Sequence, residues 1–247
     1  MTTFSGKAVV VTGGGTGIGR ATARAFAEQG AGVLVVGRTA ARLAETASGL
    51  PGIRALTADI THPGAPDLVV RTAIEEFGRI DVLVNNAAVV RSDTGPGHAE
   101  EMLVTNLLAP VRLTHAALAH LTAAAGVVVN VSTSVGQRGW PLPGGALYVA
   151  LKTALESLTR SWAVQFARRG VRVAAVAPGP IATPIALHQG LSAEQVEAMK
   201  EVLVAHVPLG RIGTPEEVAF WITQLARPEA AYTTGVVIPV DGGAVVG

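Results

Sequence analysis

The segment Thr12-Gly13-Gly14-Gly15-Thr16-Gly17-Ile18-Gly19 follows the apolar run Ala8–Val11 and leads directly into an alanine-rich stretch. Glycines let a backbone turn sharply and approach a pyrophosphate closely, and free N–H groups at a helix start attract its charge. The spacing is Gly-x-x-x-Gly-x-Gly, not the Gly-x-Gly-x-x-Gly of the usual dinucleotide fingerprint. The segment predicts a phosphate-binding loop, the alternative being a tight turn without a ligand. The residues expected to contact a cofactor are Gly13, Gly15, Thr16, Gly17, Ile18 and Gly19.

Short apolar runs alternate with helical patterns along the rest of the chain. Because the runs are continuously apolar, they are typical of parallel strands buried on both faces. Strands are predicted at Ala8–Val11, Val33–Val36, Ile53–Thr57, Val82–Val84, Val127–Val131, Val171–Val176 and Val236–Val240. Helices are predicted at Ile18–Glu28, Ala40–Ser48, Pro66–Phe77, His98–His120, Leu147–Ala167 and Pro215–Ala226, with capping boxes at Ser192–Gln195 and Thr214–Glu217. The alternation predicts one α/β domain over residues 1–247, a Rossmann-type doubly wound parallel sheet of about seven strands with helices on both faces.

The composition excludes several classes of protein. Of the 247 residues, 49% are hydrophobic and 15% are charged, which suits a large core and not a disordered chain. The formal net charge of +1 argues against nucleic-acid binding. The absence of cysteine excludes a disulfide framework and a thiolate metal site, and no His-x-x-x-His pair occurs, so we expect no metal. Without a signal-like N-terminus or a spanning apolar segment, we expect a cytoplasmic protein with no membrane partner.

The end of the predicted second strand, Val36-Gly37-Arg38-Thr39, indicates which dinucleotide the loop binds. An acidic residue about twenty positions after the loop would bind a ribose 2′-hydroxyl, but no Asp or Glu occurs from Gly30 to Ala44. The Arg38 guanidinium and the Thr39 hydroxyl suit a 2′-phosphate instead. We therefore expect NADP(H) in preference to NAD(H), which stays possible. The alternative is that Arg38 faces solvent or stacks on adenine.

One of the chain's two tyrosines, Tyr148, is followed four positions later by Lys152. On a helix the two side chains share one face and can converge. Tyrosine ordinarily titrates at about pH 10, and a neighbouring ammonium favours tyrosinate. We therefore expect Lys152 to lower the pKa of Tyr148, which would make the phenol an acid and base near neutrality. Alone, the spacing is weak, since it occurs by chance in many helices.

Taken in order along the chain, several segments resemble the short-chain dehydrogenase/reductase family, and within it the 3-oxoacyl-carrier-protein reductase-like branch. These segments are Thr12–Gly19, Asp59-Ile60, Asn85-Asn86-Ala87-Ala88, Asn106 within Val104–Leu107, Asn130–Thr133, Tyr148-x-x-x-Lys152, Pro178-Gly179-Pro180-Ile181-Ala182-Thr183 and Asp241-Gly242-Gly243. Each segment alone is weak evidence for the family. The full set in this order is specific for the family, and it extends over almost the whole chain.

The resemblance implies a role for each matching residue. Tyr148 would give its proton to a carbonyl oxygen or take it back from the alcohol. Lys152 would bind the nicotinamide ribose, and Asn106 would hold a water that links Lys152 to solvent. The cofactor-binding residues would also include Asp59 and Ile60 beside the adenine, Asn86 and Ala87 in the groove, Pro178 and Gly179, and Ile181 and Thr183 at the carboxamide. Hydride would pass directly between nicotinamide and substrate, without a metal.

The family's catalytic hydroxyl is the least certain match. Ungapped alignment from Gly126 places Thr133 where the family usually has Ser, and Ser134 follows it. The stretch from Thr133 to Tyr148 is two residues longer than usual. If the extra residues lie within 140–145, Thr133 is the catalytic hydroxyl, and if one lies earlier, Ser134 is. We favour Thr133.

A substrate lid is expected at about 184–213, because this segment varies with substrate in the family. Its apolar side chains predict a largely apolar pocket for a small carbonyl or alcohol substrate. The pocket residues would be Ile185, Leu187, Met199, Leu203 and Val204 with His188 and His206, and Arg138, Trp140 and Leu142 on the other wall. The long apolar helices His98–His120 and Leu147–Ala167 need further cover, and the resemblance suggests a homotetramer, or a dimer.

Two classes of function remain for this sequence. The leading hypothesis is an NADP(H)-dependent carbonyl reductase or alcohol dehydrogenase. The alternative is a non-catalytic regulatory protein that keeps the cofactor fold. The presence of Asn106, Tyr148, Lys152 and a candidate hydroxyl disfavours the alternative.

Overall fold

The computed structural model describes residues 3–91, 95–137, 145–185 and 192–247, in which seven strands form one parallel sheet. The strands are β1 Ala8–Thr12, β2 Gly32–Gly37, β3 Ile53–Thr57, β4 Val82–Asn85, β5 Val127–Val131, β6 Arg172–Pro178 and β7 Val237–Val240. Their order is β3-β2-β1-β4-β5-β6-β7. Because the order reverses between β1 and β4, a crevice is expected at the carboxyl ends of these two strands.

Helices cover both faces of the sheet. They are α1 Gly17–Glu28, α2 Ala40–Ala47, α3 Ala65–Phe77, α4 Pro96–Leu103, α5 Ala109–Ala124, α6 Ala146–Ala167, α7 Ala193–Val204 and α8 Pro215–Ala226. Helices α1 and α8 pack on the face that carries Val9 and Val11, and α3, α5 and α6 pack on the face that carries Val10. Alternate residues of β1 thus enter two separate cores, which explains the continuous apolar run. The predicted doubly wound α/β fold is confirmed.

The helix predicted at His98–His120 is present, but it contains an interruption that was not predicted. Helix α4 continues through a π-helical turn at Val104–Leu108 into α5. Pro110 has no N–H to donate to the carbonyl of Asn106, and its ring crowds that carbonyl, so regular α-helical bonding is interrupted there. The interruption turns Asn106 inward, where it is fully buried.

Both predicted capping boxes are present. Ser192 and Gln195 exchange side-chain and backbone hydrogen bonds at the start of α7. Thr214 and Glu217 do the same at the start of α8. These reciprocal bonds satisfy N–H groups that the first helical turn leaves free, so each helix start is fixed.

A buried chain of amide and hydroxyl groups joins β4 and β5 to the helices behind them. Asn85 and Asn130 are register partners, and the Asn85 amide donates to Asn130 Oδ1 at 2.9 Å and to Thr114 Oγ1 at 3.1 Å. The Asn130 amide donates in turn to Thr159 Oγ1 on α6 at 2.8 Å. All four side chains are buried, so the chain fixes α5 and α6 relative to the sheet.

One helical stretch among the described residues, Gly97–Ala124, is long and apolar enough to cross a membrane by length and composition. Half of its most apolar window is buried inside the protein, where Leu113 and Leu121 pack against the sheet. This burial is typical of a core helix.

Candidate active site

A cavity of ≈ 600 Å³ lies at the carboxyl ends of the strands. Every strand from β1 to β6 contributes to it through its end or the loop that follows. Representative lining residues, in chain order, are Gly13, Arg38, Asp59, Asn86, Thr133 and Pro178. The site therefore occupies the crevice that the strand order predicts.

The glycine-rich loop forms one wall of the cavity and is held by the neighbouring strand. The Asn86 amide, just after β4, donates to the backbone carbonyl of Thr12 at 2.8 Å. Gly13 has φ +66, and a Cβ there would meet Ala87 Cα at 2.8 Å. A Cβ on Gly19 would overlap the Gly13 carbonyl. This close packing requires glycine at both positions and leaves the loop backbone open toward the cavity.

Arg38 and Asp59 lie at the β2–β3 side of the cavity. Both line it, and Arg38 is exposed. Asp59 Oδ1 accepts hydrogen bonds from the backbone N–H and the hydroxyl of Thr61. Burial alone would raise the pKa of Asp59, but these bonds and the charge of Arg38 lower it below its ordinary value. This side thus presents an exposed guanidinium beside an ionised carboxylate.

Tyr148 and Lys152 converge on the cavity from the first turns of α6. The Lys152 amino nitrogen lies 5.9 Å from the centroid of the Tyr148 ring. Only 2% of Lys152 is exposed, and its amino group donates to the carbonyl of Val131 at 2.7 Å. The predicted convergence of the two side chains is confirmed, because four residues make about one turn of an α-helix.

The predicted direction of the Tyr148 pKa is wrong in this structure. Burial raises the pKa of Tyr148 to about 12 and lowers the pKa of Lys152 to about 8. Both shifts have the same cause, since low-dielectric surroundings disfavour whichever form of a group is charged. Tyr148 is therefore a neutral phenol at neutral pH.

Asn106 lies behind the cavity and not on its wall. Its side-chain amide donates to the carbonyl of Val89 at 2.8 Å, and its Oδ1 accepts from the Val89 N–H at 2.9 Å. Val89 itself lines the cavity. Asn106 thus fixes the segment after β4, and its role in holding a water stays a prediction.

The two candidate hydroxyls occupy different positions. Thr133 lines the cavity, whereas Ser134 is buried at the start of a short 3-10 helix and is not among the lining residues described. Ser132, the residue before Thr133, donates a hydrogen bond of 2.7 Å to the buried carboxylate of Glu156 on α6. This bond ties the end of β5 to the helix that carries Tyr148. The alignment's preference for Thr133 agrees with this placement.

Most of the predicted cofactor-binding residues line the cavity. They are Gly13, Thr16, Gly17, Ile18, Arg38, Asp59, Ile60, Asn86, Ala87, Tyr148, Lys152, Pro178, Gly179, Ile181 and Thr183. Gly15, Gly19 and Thr39 are the three predicted contacts that are not part of the described wall. The carbonyl of Gly15 accepts a hydrogen bond from the Arg20 guanidinium. Gly19 packs against Gly13 and Asn86, and Thr39 is the residue before α2.

The substrate side is only partly described. Ile185, Met199 and Leu203 line the cavity as predicted, and Val204 lines a smaller neighbouring cavity. His206 is exposed and lines neither of these cavities. Arg138, Trp140, Leu142, Leu187 and His188 lie outside the described residues. Val89, Val135, Val196 and Lys200 also line the cavity and were not predicted to do so.

Within the described ranges, no group of three His, Asp or Glu side chains is arranged to hold a metal ion. The cavity does fit a dinucleotide. A Cβ on Gly17, whose φ is +50, would lie 3.1 Å from Thr183 Cγ2 across the site. Gly17 thus lets the start of α1 approach the β6 loop closely at the cavity, where the free N–H groups of the first helical turn are placed to bind a phosphate. The residues that would hold the two ends of the dinucleotide are Arg38 and Asp59 on one side and Lys152 and Thr183 on the other.

Comparisons with known proteins match this chain over nearly its whole length. A family model described as enoyl-(acyl carrier protein) reductase matches residues 13–245. The 3-oxoacyl-(acyl-carrier-protein) reductase FabG of Thermotoga maritima is 37% identical, with 98% of this chain and 99% of that protein covered. The L-fucose dehydrogenase of Bos taurus is 38% identical, with 100% and 92% covered.

Solved structures give the same picture. A short-chain dehydrogenase/reductase of unknown function from Caenorhabditis elegans, solved with cofactor, has a TM-score of 0.91 at 34% identity, covering 98% of this chain and 96% of that one. The 3-ketoacyl-(acyl-carrier-protein) reductase from Brucella melitensis, complexed with NADH, has a TM-score of 0.89 at 28% identity, covering 98% and 100%. This chain belongs to the short-chain dehydrogenase/reductase family. It is an oxidoreductase that uses a nicotinamide cofactor and acts on a CH–OH or carbonyl group of a small molecule.

Proposed function

We propose that this protein is an NADP(H)-dependent carbonyl reductase that interconverts a ketone and a secondary alcohol, with Tyr148 as the acid and base. The observation that carries the proposal is the meeting of Tyr148, Lys152 and Thr133 in one cavity that also contains Arg38. The first three supply the groups that carbonyl reduction needs, and Arg38 supplies a cation for a cofactor phosphate.

The chemistry of the side chains favours reduction at neutral pH. When bound, the nicotinamide supplies a hydride to the carbonyl carbon, or accepts one from the alcohol. Thr133 donates a hydrogen bond to the carbonyl oxygen and orients it. Tyr148 keeps its proton at neutral pH, because burial raises its pKa to about 12, and gives that proton to the oxygen as negative charge develops there. The positive charge of Lys152 stabilises the tyrosinate left behind.

The preference for NADP(H) rests on the charges after β2. Arg38 is exposed at the cavity and has no carboxylate on its own strand or the following turn. A guanidinium pairs well with a phosphate, whereas a ribose 2′-hydroxyl is usually bound by an acidic residue. Asp59 is partly occupied by Thr61 through two hydrogen bonds. The arrangement supports a 2′-phosphate at Arg38.

A substrate lid and an oligomeric state complete the proposed function. We place residues 184–213 as a substrate lid on one catalytic domain, because Ile185 and Met199 line the cavity from this segment. We place the protein in the cytoplasm as a homotetramer or a dimer. The oligomer is supported by apolar side chains that stay exposed on helices of one chain. These are Val164 on α6, which is 79% exposed, and Phe220 on α8, which is 54% exposed. Light scattering during gel filtration tests the oligomeric state.

The test of the proposed function is cofactor binding followed by turnover. Titration with NADPH and NADH, followed by nicotinamide fluorescence, is expected to show at least tenfold tighter binding of NADPH. A panel of ketones is then offered with the preferred cofactor, and consumption of NADPH is expected. Tighter NADH binding would overturn the choice of cofactor. Binding without turnover of any ketone would favour the non-catalytic alternative.

A further inference from the structure

Helix α7 presents one face to the cavity. Val196, Met199, Lys200 and Leu203 line the cavity and follow the spacing i, i+3, i+4, i+7. These four residues are partly buried, while Glu194, Gln195, Glu197 and Ala198 are exposed. The spacing is that of a helix face that packs against apolar material. Lys200 is thus a cation placed on an otherwise apolar face.

The charges around the cavity are unevenly distributed. Four charged side chains line its described part: Arg38, Asp59, Lys152 and Lys200. Arg38 follows β2 and Asp59 follows β3, and these two strands lie at one edge of the sheet. Lys152 and Lys200 lie on the other side, with the residues that follow β4, β5 and β6, and the described lining there contains no carboxylate. The substrate side therefore carries positive charge only.

Lys200 is able to engage a ligand. Its side chain is 42% exposed, and its amino group lies 2.8 Å from Glu197 Oε2. Glu197 is 67% exposed and lines the neighbouring smaller cavity and not the main one. Exposed ion pairs are weak, because both partners are hydrated and mobile. Breaking this pair therefore costs little, so Glu197 does not prevent Lys200 from binding a carboxylate on a ligand in the cavity.

We propose that Lys200 binds a carboxylate on the substrate. The substrate class is then an apolar ketone or secondary alcohol that carries a carboxylate away from its reacting carbon. This inference rests on the proposed function, because Tyr148 and Thr133 define the end of the cavity where the carbonyl lies. The apolar side chains of Met199 and Leu203 contact the body of such a substrate, and Lys200 fixes its orientation.

The test compares two ligands that differ in charge and match in shape, cyclohexanecarboxylate and cyclohexanecarboxamide. Each is titrated calorimetrically into the purified protein and into its NADPH complex. Wild-type protein is expected to bind the carboxylate at least tenfold more tightly. Lys200→Met is expected to lose that preference, and Lys200→Arg to restore most of it. Arg71→Met removes a cation from the exposed face of α3 and is the control expected to behave as wild type.

Each contrary outcome is decisive. Equal binding of the two ligands by wild type, binding of neither, or a preference that survives Lys200→Met would overturn the inference. Reduction of neutral 4-methylcyclohexanone separates this failure from failure of the proposed function. If that ketone is reduced while the carboxylate preference is absent, the enzyme assignment stands and the role of Lys200 does not. If no ketone is reduced while Lys200-dependent binding persists, the role of Lys200 in carboxylate binding stands and the proposed carbonyl reductase activity does not.

Discussion

The amino group of Lys152 donates a hydrogen bond of 2.7 Å to the backbone carbonyl of Val131. The bond joins α6, which carries Tyr148, to the last residue of β5, two positions before Thr133. A second bond, from Ser132 to Glu156, joins the same helix and the same strand end. The two elements that present the candidate acid and the candidate hydroxyl are therefore held in a fixed relation.

The buried state of Lys152 predicts a pH dependence of stability. Burial lowers the pKa of Lys152 from 10.5 to about 8. Between these values the unfolded chain binds a proton that the folded chain does not, so the free energy of unfolding rises with pH. The expected contribution is about 2 kcal/mol between pH 7 and 10. Urea denaturation of wild type and Lys152→Met across this range measures it, and the variant should lack this part of the rise.

A parallel series on Lys200→Met is the control for that experiment, since Lys200 is a partly exposed lysine. It is expected to keep the wild-type pH dependence. Superimposable curves for wild type and Lys152→Met would mean that Lys152 is not buried as the structure has it.

Substitution of the two candidate hydroxyl residues, Thr133 and Ser134, is expected to have opposite effects on catalysis. Thr133→Val removes the hydroxyl at the cavity wall and should lower kcat/KM by about 100-fold, comparable to loss of an oxyanion donor. Ser134→Ala removes a buried hydroxyl outside the described wall and should leave kcat/KM within a few-fold of wild type. Steady-state kinetics of both variants decide the matter. A crippled Ser134→Ala beside an active Thr133→Val would reverse the assignment.

Arg38 predicts the choice of cofactor. Arg38→Asp places a carboxylate where a 2′-phosphate would lie, so the Kd for NADPH should rise at least tenfold while NADH binds equally or better. Fluorescence titration with both cofactors checks this. Arg71→Asp makes the same charge change on an exposed face of α3 and should not alter the ratio. An unchanged ratio in Arg38→Asp would remove the argument for NADP(H).

The buried amide chain predicts a loss of stability. Asn130→Ala leaves the Asn85 amide without its Asn130 acceptor and Thr159 without the donated bond. Asn85 keeps its bond to Thr114 and the Thr159 hydroxyl keeps its bond to Leu155, so one buried N–H is left unmet. An unmet buried group costs about 1–3 kcal/mol, and the free energy of unfolding should fall by about 2 kcal/mol. Urea denaturation measures the loss, with Ser161→Ala on the exposed side of α6 as the matched control. A loss no larger than the control's would show that the buried amide chain contributes little to the free energy of unfolding.

The sequence was sufficient for features that depend on short-range geometry. The glycine-rich loop, the parallel strands and the convergence of Tyr148 with Lys152 all follow from local spacing. The inward turn of Asn106 did not follow from apolar periodicity, although Pro110 in the predicted helix was a signal for it. The periodicity extends unbroken across that proline, which is why it suggested one helix.

Features that depend on long-range packing were not predictable. The direction of the Tyr148 pKa is set by how deeply α6 is covered, and the spacing of Tyr148 and Lys152 carries no information on that. Lys200 lies among the glutamates of a segment that resembles a solvent-exposed helix surface. Its position beside the cavity depends on how α7 packs in the folded chain, which local spacing does not determine.

In the proposed mechanism, Tyr148 transfers the proton during carbonyl reduction. The most direct measurement is the single-turnover rate of NADPH oxidation with a reducible ketone by wild type and Tyr148→Phe, with NADPH binding measured in parallel. Tyr148→Phe is expected to bind NADPH within about threefold of wild type and to react at least 100-fold more slowly. A variant that binds NADPH normally and reduces the ketone at the wild-type rate would show that Tyr148 does not transfer the proton.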